Sequence, residues 1–75
     1  MNVKIENSLN DLDEMANLMR IVDCTKGSNN SLIGLIKLID LALPTNSFLK
    51  YGKGSNHIWV SYRNNRILLI TKSKN

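Results

Sequence analysis

Apolar positions fall into three patterns along the chain. From Leu9 to Val22 they recur at steps of three and four: Leu9, Leu12, Met15 or Ala16, Met19 and Val22, with Asp13, Asn17 and Arg20 opposite. That is the period of an amphipathic helix. Ser8 or Asn10 is placed to cap it, and Asp11, Asp13 and Glu14 suit the positive end of its dipole. The spacing predicts a first helix over about 9–24. Lys26-Gly27-Ser28-Asn29-Asn30 then breaks the pattern, with Gly27 suited to the left-handed position past a helix end. From Leu32 to Leu43 nearly every position is apolar; Gly34, Lys37 and Asp40 form one narrow polar stripe. This predicts a second helix over about 31–43, capped by Asn30 or Ser31 and ended by Pro44. A helix apolar nearly all round is either central to a core or used in a dimer contact.

Beyond Pro44 the pattern shortens to runs of branched and aromatic residues. Phe48-Leu-Lys-Tyr51 predicts a short strand over about 47–51, or one turn of a third helix. His57 to Tyr62 and Arg66 to Lys72 predict a hairpin, 57–62 with 66–72. Asn64-Asn65 is read as its two-residue turn, because asparagine tolerates positive φ. In that register Tyr62 faces Ile67, Val60 faces Leu69 and Ile58 faces Thr71. The other face joins Ser61 to Leu68, Trp59 to Ile70 and His57 to Lys72. The expected fold is α+β over one domain, 1–75: two N-terminal helices packed on a small C-terminal antiparallel sheet.

Length limits what such a fold holds. With 75 residues the core is small, and a deep cofactor pocket has no room. One cysteine, Cys24, and one histidine, His57, at no ligand spacing, exclude a disulfide framework and make a metal site improbable; no cofactor motif is present. The N-terminal residues lack the long apolar stretch of a signal peptide, and the longest apolar run is too short to span a bilayer. The reading is a cytoplasmic protein with no membrane association. Its fold stands on its own core, on a homodimer or on a partner.

Charge divides the chain. Residues 1–43 hold six carboxylates and four cations; residues 44–75 hold six cations and no carboxylate. Every aromatic lies in that second part. Cations neutralise phosphates and rings stack on bases, so this mixture points to a nucleic-acid surface made of Lys50, Lys53, His57, Trp59, Arg63, Arg66, Lys72 and Lys74. Gly52-Lys53-Gly54-Ser55 lacks the spacing of a nucleotide phosphate loop, but its N–H groups and Lys53 suit a backbone phosphate. Catalysis has less support, since this half offers no carboxylate pair. A different class of function, a viral or plasmid type of regulator or inhibitor that docks on a host enzyme, would use Leu35, Leu38, Trp59, Leu68 and Ile70 as a partner or dimer face.

Residues 32–74 resemble the HicA-type toxins on one short motif. The apolar helix Leu32–Leu43 leads to Phe48-Leu-Lys-Tyr51, then Lys53-Gly54-Ser55-Asn56-His57-Ile58-Trp59, a polar turn and Ile67–Lys72. Those toxins are small RNA-cleaving proteins with a fold like a double-stranded-RNA-binding domain. The resemblance implies RNA as substrate and His57 as the catalytic residue. The chain departs from the pattern at Asn56, which stands where the family has its histidine. One step along a strand points a side chain to the other face.

Overall fold

The computed structural model describes residues 1–72. The elements are β1 (Asn2–Ile5), α1 (Leu12–Cys24), a 3-10 turn (Thr25–Gly27), α2 (Leu32–Ala42), β2 (Lys50–Lys53), β3 (His57–Tyr62) and β4 (Asn65–Thr71). The strands form one antiparallel sheet in the order β1-β4-β3-β2. Leu18 and Ile21 of α1 and Leu32, Leu35 and Ile39 of α2 pack on Ile58, Val60, Ile67, Leu68 and Ile70 of the sheet. Both helices therefore cover the same face. No described helix is long and apolar enough to cross a membrane.

The expected α+β architecture is present with one strand more. β1 joins the sheet beside β4, pairing Val3 with Ile70 and Ile5 with Leu68. Its Asn-Val-Lys-Ile alternation is too short to stand out until a partner strand is in place. β2 lies at Lys50–Lys53, so Lys53 belongs to the strand and not to a loop.

α1 begins later and is turned from the predicted stripe. Asp11, not Ser8 or Asn10, is its cap, accepting from the Glu14 N–H. Leu12, Met15 and Met19 lie outward, at 79%, 41% and 48% exposure, while Leu18 and Ile21 are buried. Glu14 and Asn17 are buried as well. The helix carries two apolar stripes, and a polar contact selects between them. Asn17 Nδ2 donates to Glu14 Oε1 at 2.7 Å, the Ser47 hydroxyl donates to Oε1 at 3.0 Å, and the Phe48 N–H donates to Oε2 at 2.8 Å. The carboxylate thus anchors α1 to the segment that enters β2. A buried charge is held only when hydrogen-bonded in this way.

The chain leaves α1 through Thr25–Gly27 without using glycine's freedom. Asn29 and Asn30, at φ 53° and 61°, take the left-handed positions expected at Gly27. Ser31 caps α2 through its hydroxyl, which accepts from the Gly34 N–H.

The hairpin corrects its predicted register. Arg63 and Asn64, at φ 51° and 67°, are the turn residues, and β4 starts at Asn65. Trp59 faces Leu69, Ile58 faces Ile70 and Val60 faces Leu68; a bulge beside Val60 and Ser61 then gives Ser61 opposite Arg66. A one-residue slip exchanges the faces of a strand. Leu68 and Ile70 are consequently buried beneath the helices, and the bulge turns Ile67 inward too. The gain is a core with five branched or long aliphatics from two strands. The strained turn at Arg63 is offset by that burial and by the guanidinium, 5.2 Å above the Tyr62 ring.

Candidate nucleic-acid interface

The sheet has a second face that no described element covers. Register places on it Asn2 and Lys4 of β1, Arg66, Leu69 and Thr71 of β4, His57, Trp59 and Ser61 of β3, and Lys50 and Gly52 of β2. Trp59 stands near the middle and is half-buried although no described element lies above it. Its ring lies over Gly52: a Cβ there would stand 2.5 Å from Cζ2 and 2.7 Å from Cε2. His57 relates to Gly54 in the same way, since a Cβ there would stand 2.8 Å from both ring nitrogens. Two glycines at alternate positions therefore receive two rings at alternate positions of the next strand. The Gly54 N–H donates to His57 O at 2.8 Å, so it closes the β2–β3 turn and is not offered to a phosphate.

The expected basic surface divides into separate parts. Lys50 is exposed on the uncovered face, and Phe48, Lys50, Arg63 and Asn64 line a shallow cleft of about 370 Å³ at the β3–β4 turn. Lys53 pairs in register with buried Ile58 and so belongs to the helix side. There it lines a cleft of about 260 Å³ with Lys72, Ser55 and the first residues of α2. Lys53 Nζ donates to Gly54 O at 3.2 Å. Arg66 is paired with Glu6 through Nε and through Nη2, the latter donating at 2.9 Å. That guanidinium holds the Glu6 carboxyl below its ordinary value. Lys74 lies outside the described residues.

Two residues absent from the sequence-derived surface now belong to it. Lys4 becomes visible only once β1 is paired, and Phe48, 74% exposed, only once the β3–β4 turn is placed beside it. The alternation of Asn2, Val3, Lys4 and Ile5 was the available signal for the first. Conversely, Leu35, Leu68 and Ile70 are fully buried in the protein's own core and do not form a partner face, while Leu38 is half-buried.

Glu6 is the acid at the uncovered face, held on Arg66 opposite Ser61; the other acids lie on the helices or at the α1 cap. Asp40 accepts from the Tyr51 hydroxyl on the helix side, and this pushes the Tyr51 phenol up to about 12. Asp23 faces Lys26, and Asp11 caps α1. Among the described residues no group of His, Cys, Asp and Glu is arranged to hold a metal ion. Burial and the neighbouring Asp23 push the Cys24 thiol up, which makes it a poor nucleophile at neutral pH. No protein-family model, no curated protein and no solved structure matches the chain.

Proposed function

We propose that this is a nucleic-acid-binding protein whose binding surface is the uncovered face of the sheet. What supports the reading is one arrangement: Trp59 and His57 lie side by side on that face between Lys4 and Lys50, with no carboxylate at the register positions there. The nearest acid, Glu6, is already paired with Arg66. Rings offer stacking and lysines neutralise phosphates, and neither demands a particular sequence. A regulatory role by occupancy of an RNA or DNA site follows more readily than cleavage, because no second acid–base group is hydrogen-bonded to His57 among the bonds described.

The test is binding to RNA and DNA at two salt concentrations. Affinity should fall steeply with salt. Replacing both Lys4 and Lys50 by Gln should weaken binding and lower the magnitude of the salt slope by roughly 1.5. The matched pair Lys53→Gln with Lys72→Gln, on the helix side, should change neither. Equal losses in the two pairs would move the surface to the α2 end of the molecule. Absence of binding at low salt would end the proposal.

A further inference from the structure

We infer that the uncovered face is a stacking platform for an unpaired nucleic-acid strand, two successive bases lying on Trp59 and His57. This rests on the nucleic-acid reading above and names its substrate.

The spacing comes first. His57 and Trp59 are two residues apart on β3, so their side chains leave one face about 7 Å apart. A strand with splayed bases can present successive rings at such intervals, which a duplex cannot, because its bases are closed against one another. Orientation comes second. Gly52 and Gly54 leave room for the two rings to rest on backbone, and any side chain at either position would displace them. A ring held in this way has lost its rotamer freedom during folding. It therefore gives up little more when a base settles on it. Charge complementarity comes third. Lys50 flanks the rings from β2 and Lys4 from β1, both exposed. Bases over the rings place the phosphates toward these two edges. Gly52 and Gly54 are thus positioning residues, acting through the rings they seat.

Trp59 is the chain's one tryptophan, so its emission reports the platform directly. The probes are a mixed-sequence RNA heptamer, the DNA heptamer of the same sequence, and the blunt duplex of each. Either single strand should change Trp59 emission and bind at least tenfold more tightly than its duplex. Trp59→Leu and Gly52→Ala should each weaken single-strand binding about tenfold or more while leaving the salt slope unchanged. Trp59→Phe, which keeps a ring, should recover most of the loss. Should Trp59→Leu fail to fold, the emission of the unaltered protein still decides. Salt-sensitive binding with unchanged emission, or duplex bound as tightly as single strand, would overturn the platform while leaving the nucleic-acid reading intact. No binding of any probe at low salt would remove both.

Discussion

Glu14 shows how much one side chain contributes here. It begins as an acid in the first turn of a helix, where its value would be a fraction of a kcal/mol. Folding buries it and gives it donors from Asn17, Ser47 and the Phe48 backbone. Glu14→Ala leaves the buried Asn17 amide and the part-buried Ser47 hydroxyl and Phe48 N–H without their acceptor. It should cost about 3 kcal/mol in chemical denaturation, far beyond an exposed acid. Tyr51 makes a second residue-level prediction. Its hydroxyl donates to Asp40, and the phenol is pushed up to about 12 from an ordinary 10. Since the folded value lies above the unfolded one, this contact's stabilisation is complete below pH 10 and is lost as pH rises from there through about 12. Ultraviolet titration should find one tyrosine ionising late, and Asp40→Asn should bring it back toward the ordinary value.

Among the elements, α1 and β1 carry the sharpest expectations. Two apolar stripes run along α1, and only the one with Leu18 and Ile21 is buried. Leu18→Ala should cost about 2–4 kcal/mol, whereas Met19→Ala should lie within about 0.5 kcal/mol of the parent. Equal costs would mean that the helix is rotated from this description. β1 is an edge strand, exposed along its length, and the Glu6–Arg66 pair and the Glu6 N–H to Ile67 carbonyl bond tie it down. The Glu6 carboxyl is lowered, so this contribution is present above its ordinary value and is lost as pH falls through the carboxylate range. Protection of the β1 amides, taken against the intrinsic exchange rate at each pH, should fall on acidification before protection in β3 does. Arg66→Gln should produce the same loosening at neutral pH.

For the molecule as a whole, the layering sorts charge as well as hydrophobicity. Every acid but Glu6 lies on α1, at its cap or on α2, while the bare side of the sheet presents lysines, rings and the Arg66–Glu6 pair. On the proposed nucleic-acid reading, that asymmetry orients the protein toward a polyanion before contact, and the expected sign is an association rate that falls with salt. Stopped-flow mixing with a single-stranded oligonucleotide should show this fall, and the Lys4 and Lys50 double variant should flatten it. The Leu12, Met15 and Met19 stripe lies on α1, away from this face. Polar replacement there should therefore leave the association rate unchanged.

Local chemistry carried the fold class and much of its detail. The apolar run Leu32–Leu43 bounded by Ser31 and Pro44 defined α2, because capping and proline geometry act within a few residues. Branched residues at His57–Tyr62 and beyond defined the hairpin for the same reason. The concentration of cations and rings after Pro44 was equally legible. Three features depended on residues distant in the chain. Which stripe of α1 is buried was settled by Glu14 meeting Ser47 and Phe48, a contact 33 residues away. The face taken by Leu68 and Ile70 was settled by a bulge and a turn at Arg63, where core packing outweighed the preference for Asn64-Asn65. The pairing of β1 with β4 brought Lys4 onto the face that Trp59 occupies. A four-residue strand has too little pattern of its own, so its place exists only once its partner does.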